Sequence, residues 1–458
     1  MYSPSKLFFS FLTLAIVSAA APLPPADLTR DVTPLVASGA LQAVSLGVVQ
    51  REGAVTAHVG QLSPTNSAAP DDHTFYEIGS ITKVFTSLLL ADAVVRGEVT
   101  LDTTIATLLP SDVVLPEGAG ERITLRMLAT HTSGLPRIPV EIPTDDFTNP
   151  YERYGEAELW ASLRTVKLDF EPGTKAGYSN FAAGLLGTLL ARKAGASFEE
   201  LLQTRILRQL GMNETAITLD AAQRARLAPP FTSDGRPWGA WDFAALAGAG
   251  AIRSTTADMM RFAQAMLRPE ETPLRAAIEL AWARQDLAAT ISGGGQGLGW
   301  LLAGDGRTRW HNGMTAGSHA ALYVNRELGV ASVYLANRAN PVGTQLAESL
   351  LRRAAGLKDR KIPNADRAEV KLTPEEIDRC TGTFRLSETM VLVCERRDGV
   401  LVVTPTGQAA DRLFAASPTT FFSRRAPIDL VFELPDDGRP AHAVTLVQGP
   451  RRTRAVRE

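Results

Sequence analysis

Residues 75–99 read FYEIGSITKVFTSLLLADAVVRGEV, and this stretch decides how the rest of the chain is interpreted. Ser80 and Lys83 stand three positions apart, where an apolar run of helical spacing begins. Residues three apart share one face of a helix, so the lysine amine can reach the serine hydroxyl. A serine needs such an activating partner to become a nucleophile. The alternative is that Ser80 only caps the helix, which contributes about 1 kcal/mol.

Length and charge limit the class of protein. The chain has 458 residues, 45% of them hydrophobic, which is more than one ordinary core needs and predicts two or three packed units. Its 47 basic and 49 acidic residues nearly cancel, so no overall charge favours nucleic acid or an anionic membrane. We expect a small-molecule or peptide substrate, and the sequence leaves the oligomeric state open.

The N-terminus has the pattern of an export signal. It reads MYSPSKLFFSFLTLAIVSAAAPLPP, with Lys6 as a basic head, an apolar run over 7–17 and small residues before the prolines. This is typical of a secretory signal peptide, which we place at residues 1–21. The apolar run is too short to span a bilayer, and no later stretch predicts a transmembrane anchor. The sequence therefore predicts a periplasmic or secreted protein.

Cysteine and histidine usage argues against a metal. Cys380 and Cys394 are the only cysteines. In an oxidising compartment they can form a disulfide, and two buried free thiols are an equally good reading. Neither cysteine, nor any of the six histidines, stands at a recognisable metal-ligand spacing. We expect neither a metal nor a cofactor.

Strand and helix patterns divide the chain. Alternating apolar runs around residues 51–53 predict a β-hairpin over 41–63, helical patterns fill 80–267, and strand patterns return over 297–338. This order predicts an α+β fold, with an antiparallel sheet flanked by helices and a mostly helical subdomain inserted between its strands. A charged linker at 356–372 separates this domain, residues 22–355, from a small antiparallel β domain at 373–458.

Two further short motifs accompany Ser80 and Lys83. GYSNFAAGLLG (177–187) places Tyr178 and Asn180 between a turn-rich loop and a helix, and TRWHNGMTAG (308–317) places His311 and Gly313 on a strand. Each motif is weak alone, because residues 3–6 repeat the Ser-x-x-Lys spacing inside the N-terminal segment. The order of the three motifs is more specific than any one of them.

That ordered set, together with THTSGLP (130–136), LGMNET (210–215) and AIRSTTADMMRF (251–262), resembles the serine β-lactamase and penicillin-binding family. It is most similar to the branch that contains class C β-lactamases, D-alanyl-D-alanine carboxypeptidases and carboxylesterases. The resemblance covers about residues 30–350 and implies the β-lactamase/transpeptidase-like fold. The region from about 373 resembles the small β-barrel domain that some members carry.

The resemblance also implies roles for individual residues. Ser80 would be acylated, Lys83 would assist its deprotonation, and Tyr178 would act as a phenolate-like base or as a proton shuttle. Asn180 would bind the substrate's amide carbonyl, and the strand that begins at His311 would lie along the substrate. The backbone N–H groups of Ser80 and Met314, next to Gly313, would form the oxyanion hole.

His311 departs from the family pattern, in which this motif usually begins with lysine. A histidine is largely neutral at pH 7, which weakens the case for an anionic substrate. β-Lactams or D-alanyl-D-alanine peptides derived from peptidoglycan remain the first expectation. A carboxylesterase or amino-acid amidase, and a slow-turnover penicillin-binding receptor, are the alternatives. We expect His131, in THTSGLP, only to hold a turn together.

Overall fold

The computed structural model describes residues 23–51, 53–115, 122–140, 142 and 148–458. The predicted signal peptide, residues 1–21, lies outside these ranges. Within them, every helix is too short or too polar to cross a bilayer.

A six-stranded antiparallel sheet forms the centre of the larger part of the chain, in the order β2-β1-β8-β7-β6-β5. The predicted hairpin is confirmed as its strands β1 and β2, and strands from residues 301–336 complete it. A separate two-stranded sheet pairs β3 with β4. The strands are β1 (Ala43–Gln50), β2 (Gly53–Gly60), β3 (Tyr76–Glu77), β4 (Arg253–Ser254), β5 (Leu301–Leu302), β6 (Arg309–Met314), β7 (His319–Asn325) and β8 (Val330–Ala336).

Helices are the main regular structure between β3 and β5, as the sequence predicted. The α-helices are α1 (Pro25–Thr29), α2 (Thr33–Ala37), α3 (Thr82–Val95), α4 (Leu125–Ala129), α5 (Glu156–Thr165), α6 (Asn180–Ala194), α7 (Phe198–Leu202), α8 (Ala221–Arg224), α9 (Ala247–Gly250), α10 (Thr256–Leu267), α11 (Arg275–Trp282), α12 (Val342–Ala354) and α13 (Pro374–Asp378). Short 3-10 turns lie at Gly79–Ile81, Ile105–Thr107, Arg208–Leu210, Ala244–Leu246 and Pro269–Glu271, and a π-helical turn lies at Gln203–Leu207.

The central strands of the sheet, β1, β7 and β8, are buried on both faces. Every residue of β7 and β8 is buried, and alternate side chains enter different cores because successive side chains of a strand point to opposite faces. Leu322 packs into the core that contains α10 and α3, whereas Tyr323 packs into the core that contains α12. The predicted α+β fold, with helices flanking an antiparallel sheet, is confirmed.

The C-terminal region is a closed antiparallel barrel of eight strands, as the resemblance implied. The strands are β9 (Gly382–Arg385), β10 (Val391–Arg397), β11 (Val400–Pro405), β12 (Asp411–Ser417), β13 (Thr420–Ser423), β14 (Ile428–Glu433), β15 (Ala443–Gln448) and β16 (Arg451–Arg457). Closure leaves no unpaired strand edge. An ion pair of 2.6 Å between Arg397 Nη1 and Asp234 Oδ2 ties the barrel to a loop of the larger part.

The two cysteines lie in the barrel core. Cys380 and Cys394 are both buried, and the structure has them as free thiols. The Cys380 thiol lies 3.6 Å from the carbonyl oxygen of Pro418. Burial raises the pKa of each thiol to about 12, so both stay protonated at neutral pH.

Candidate active site

Ser80 lies on a sharp turn between β3 and α3. Its 3-10 turn, Gly79–Ile81, leads directly into the helix, whose N-cap residue is Ile81 and whose first turn has no side-chain cap. Gly79 allows this turn because its φ of 49° is left-handed. Ser80 is therefore not the helix cap that the alternative reading of the sequence required. Its hydroxyl is free to meet other groups.

Lys83 is buried in the first turn of α3 with its amine surrounded by oxygen atoms. Its Nζ lies 3.0 Å from Ser80 Oγ, 2.8 Å from Asn180 Oδ1 and 2.7 Å from the carbonyl oxygen of Ala249. Burial lowers the pKa of Lys83 well below its usual value, and the positive charge of Arg137 lowers it further. The site therefore favours the neutral amine.

The three contacts of the amine are not equivalent. The Ala249 carbonyl and Asn180 Oδ1 can only accept hydrogen bonds, whereas a serine hydroxyl both donates and accepts. A neutral amine has two N–H groups and one lone pair. If the two N–H groups serve the two obligatory acceptors, the lone pair faces the Ser80 hydroxyl. The geometry can thus draw the proton from Ser80 to Lys83.

Tyr178 lies across the site from Lys83. Lys83 Nζ is 4.8 Å from the centroid of its ring, and its hydroxyl forms a hydrogen bond with Ser80. Burial raises the pKa of Tyr178 to about 12, although the hydrogen bond with Ser80 and the charge of Arg137 act in the opposite direction. Tyr178 therefore carries its proton at neutral pH, and the same environment pushes the pKa values of Lys83 and Tyr178 in opposite directions.

His311 is a neutral group on β6. It is buried, and its Nδ1 donates to the carbonyl oxygen of Asn312 at 2.6 Å. Burial, with the nearby Lys83 charge, lowers the pKa of His311 to about 3. Its ring centroid lies 6.4 Å from that of Tyr178. The predicted neutrality of His311 at pH 7 thus follows from burial as well as from the ordinary pKa of histidine.

The backbone of β6 passes close to the Ser80 turn. A Cβ atom placed on Gly313 would lie only 2.6 Å from Ser80 N, and one placed on Gly79 would lie 2.7 Å from Met314 N. Two glycines facing each other allow this approach because neither has a side chain. The backbone at Gly313 and Met314 therefore lies against the Ser80 turn, and this close approach is what an oxyanion hole built from the amides of Ser80 and Met314 would need.

The loop that holds Tyr178 is fastened to the THTSGLP segment. Gly177 N donates to the His131 carbonyl at 2.9 Å, and Asn180 N donates to the Arg137 carbonyl at 2.8 Å. Ser179 caps α6 by accepting from Ala182 N at 2.9 Å. These bonds fix the loop and the start of α6 together.

Comparison with known proteins agrees with this geometry. The family model described as Beta-lactamase matches residues 28–357. The chain belongs to the β-lactamase family. It is 29% identical over 303 residues to a β-lactamase of Escherichia coli (strain K12), covering 64% of this chain and 74% of that protein.

Two further relatives carry other names. The D-alanyl-D-alanine-carboxypeptidase/endopeptidase AmpH of Escherichia coli (strain K12) is 33% identical over 279 residues, which cover 57% of this chain and 69% of the relative. Penicillin-binding protein 4 of Amycolatopsis lactamdurans is 27% identical over 346 residues, which cover 71% of this chain and 88% of the relative. As a member of the β-lactamase family, this chain is a serine hydrolase.

The structure brings all the residues predicted for the active site of this family member into one place. The set consists of Ser80, Lys83, Tyr178, Asn180, His311, Gly313 and Met314. Cys380 and Cys394, predicted only as a possible disulfide, lie apart in the barrel. Among the described residues, no three His, Cys, Asp or Glu side chains are grouped to hold a metal ion.

Sequence reasoning missed three contributors to the site. His131 was expected only to hold a turn, but its ring stacks on Tyr178 with centroids 4.5 Å apart and its Nδ1 accepts from Ser179 N at 3.1 Å. Tyr151 forms a side-chain hydrogen bond with Asn180. Arg137 places its guanidinium carbon 5.3 Å from the Tyr178 ring centroid. The THTSGLP motif was a signal for His131, whereas no pattern marked Tyr151 or Arg137.

Proposed function

We propose that this chain is an exported serine hydrolase that forms an acyl-enzyme at Ser80 with β-lactams or D-alanyl-D-alanine peptides. The observation that carries the proposal is the 3.0 Å contact between Lys83 Nζ and Ser80 Oγ, made by an amine whose other two partners are obligatory acceptors. We assign the reaction to residues 22–355, with residues 356–372 as a linker to the barrel domain at 373–458. Export rests on the signal-peptide pattern of residues 1–21.

Acylation begins with proton transfer from Ser80 to Lys83. The Ser80 oxygen attacks the substrate carbonyl carbon, and the carbonyl oxygen becomes an oxyanion between the N–H groups of Ser80 and Met314. Such preorganised donors stabilise developing charge because they need no reorientation when the charge appears. Asn180, held by Lys83 and Tyr151, lies beside the amine and can orient the substrate's amide group.

Collapse of the tetrahedral intermediate needs a proton on the leaving nitrogen. Tyr178 carries a proton at neutral pH and is hydrogen-bonded to Ser80, so it can donate that proton and regain one from protonated Lys83. The C–N bond then breaks and the acyl group stays on Ser80. A peptide substrate releases its amine at this step, whereas in a β-lactam the ring opens and the amine remains attached to the acyl group. Water then attacks the ester carbonyl of the acyl-enzyme, with the proton transfers in the reverse order, and the acid is released from Ser80. Of the two roles predicted for Tyr178, these pKa directions favour the proton shuttle over the standing phenolate.

The relatives support this choice of substrates, because their names are those of β-lactamases, a D-alanyl-D-alanine carboxypeptidase and a penicillin-binding protein. One observation favours the second candidate, an esterase or amino-acid amidase. His311 is neutral where the family usually has a lysine, so β6 offers no fixed charge to a substrate carboxylate.

The test is mass spectrometry of the purified mature chain after incubation with a fluorescent penicillin, following both the adduct and the hydrolysed product. We expect either a lasting adduct, which should map to Ser80, or hydrolysed product without a lasting adduct. A lasting adduct without product would identify the slow-turnover receptor.

Two variants make this test specific. Ser80→Ala should abolish both signals, whereas Ser387→Ala, which removes an exposed hydroxyl from the barrel, should change neither. If neither signal appears with the wild type while a short-chain nitrophenyl ester is hydrolysed in a Ser80-dependent way, the esterase replaces our first proposal. Hydrolysis that survives Ser80→Ala would refute the acyl-enzyme at Ser80. N-terminal sequencing of the exported chain tests the signal peptide.

A further inference from the structure

Within the part of the chain that the structure describes, the active site has one positively charged side chain that faces solvent, and the proposed reaction does not use it. Lys83 is buried with three partners, and His311 is neutral. His131 is neutral as well, because burial and the neighbouring positive charges hold its pKa well below the usual range. Arg137, by contrast, is exposed at the edge of the site.

The position of Arg137 is fixed by its backbone. Its carbonyl oxygen accepts from Asn180 N at 2.8 Å and from Phe181 N at 3.4 Å. The carbonyl of its neighbour Pro136 accepts from Ser179 Oγ at 2.7 Å. The segment that carries Arg137 is therefore docked on the first turn of α6, the turn that supplies Asn180 to the site.

The side chain of Arg137 extends over the site from that anchor. Its guanidinium carbon lies 5.3 Å from the Tyr178 ring centroid, a distance at which a cation and an aromatic face attract each other. Its charge lowers the pKa values of Lys83 and Tyr178 and influences Tyr151. The guanidinium is thus close to the groups that meet the substrate.

This charge has no counter-ion among the residues that the structure describes, because no carboxylate there lies within ion-pair distance of Arg137. A guanidinium presents its N–H donors in a planar fork that fits a carboxylate with two parallel hydrogen bonds. Beside a catalytic serine, an exposed and unpaired arginine is well suited to a negatively charged group of the substrate.

We propose that Arg137 is a specificity-determining residue that binds a carboxylate of the substrate. The inference rests on the proposed function, since it places that carboxylate on a molecule that acylates Ser80. The carboxylate can belong to the leaving group, as in a terminal D-alanine, or to a side chain on the acyl side. Arg137 then provides the positive charge that His311 does not.

The test compares wild type with Arg137→Gln on matched peptides. One pair is an acyl-D-alanyl-D-alanine peptide and its C-terminal amide. The other pair carries glutamate or glutamine as the residue before the first D-alanine. The readout is the ratio of kcat/KM for the acid to kcat/KM for its amide. Acylation rate constants for benzylpenicillin and its methyl ester give the same ratio if peptides are not turned over.

For the pair that carries the recognised carboxylate, the wild type should prefer the acid by about 10- to 100-fold, the usual range for a charged hydrogen-bonded contact. In Arg137→Gln that ratio should fall towards 1, mostly through a higher KM. The matched control is Arg307→Gln. Arg307 is exposed, lies two residues before β6 and pairs with Glu327. This variant should keep the wild-type ratio.

The ratio isolates recognition from other effects. Arg137→Gln can also raise the pKa of Lys83, but that change slows acid and amide alike. If the ratio stays at the wild-type value in every pair, Arg137 does not bind the carboxylate and the inference is wrong while the proposed function stands. If Ser80→Ala fails to abolish the reactions, or if no substrate reacts, the proposed function itself fails and the inference with it.

Discussion

Replacing Gly313 by alanine tests the proposed oxyanion hole without touching a catalytic side chain. The new Cβ would lie 1.9 Å from the carbonyl oxygen of Ile78 and 2.6 Å from Ser80 N. Ordinary contact begins near 3.4 Å, so β6 and the Ser80 turn must separate by about 1.5 Å. Both neighbours are backbone atoms, and no flexible side chain can move aside to absorb the clash.

The cost to catalysis follows from that displacement. A hydrogen bond of about 2.9 Å to the oxyanion would stretch well beyond 3.5 Å, where it no longer contributes. Loss of one such donor costs about 10²- to 10³-fold in kcat. We expect Gly313→Ala to lose at least about 100-fold in kcat/KM, with a loss of stability of about 1–3 kcal/mol from overpacking.

The assay uses whichever chromogenic substrate the wild type hydrolyses, a cephalosporin or a nitrophenyl ester, at a temperature where circular dichroism shows the variant to be folded. Gly304→Ala is the matched control, because nothing lies within 4 Å of its added Cβ and it should retain wild-type kcat/KM. A folded Gly313→Ala with activity within 10-fold of wild type would show that the close approach of β6 to the Ser80 turn has no part in catalysis.

Two further predictions concern proton transfer. Tyr178→Phe should reduce kcat by about 10²- to 10⁴-fold, the usual contribution of a general acid or base, and unchanged turnover in a steady-state assay would remove Tyr178 from the mechanism. Lys83→Met should abolish turnover and also change how stability depends on pH. Because the pKa of Lys83 in the folded chain is lowered, the unfolded chain binds more protons between that pKa and about 10.5, so wild-type stability rises with pH in this window. Urea unfolding of the two proteins from pH 7 to 10 should therefore show that the free energy of unfolding of the wild type rises relative to that of the variant, by at most about 1.4 kcal/mol per pH unit. A constant difference between the two free energies would mean that Lys83 titrates normally.

Several parts of the fold could be predicted because their signals are local. The alternation of residues 41–63 predicted the β1–β2 hairpin, since side chains of a strand point to opposite faces in turn. The start of α10 depends on an equally local contact, because Thr255 accepts from Asp258 N, three residues later, at 3.3 Å. In both cases the interacting atoms lie within a few residues or across one turn.

The sequence by itself determined the residue types of the site and their order: a serine and lysine three apart, then a tyrosine, then a glycine on a strand. It also determined that His311 carries no fixed charge. Only the tertiary structure decided that Ser80 is not a helix cap, that Lys83 meets Ala249 and Asn180, and that Arg137 lies over Tyr178. The physical reason is that these contacts join residues far apart in the chain, and that the pKa shifts depend on how completely water is excluded from each group, which spacing along a sequence does not encode.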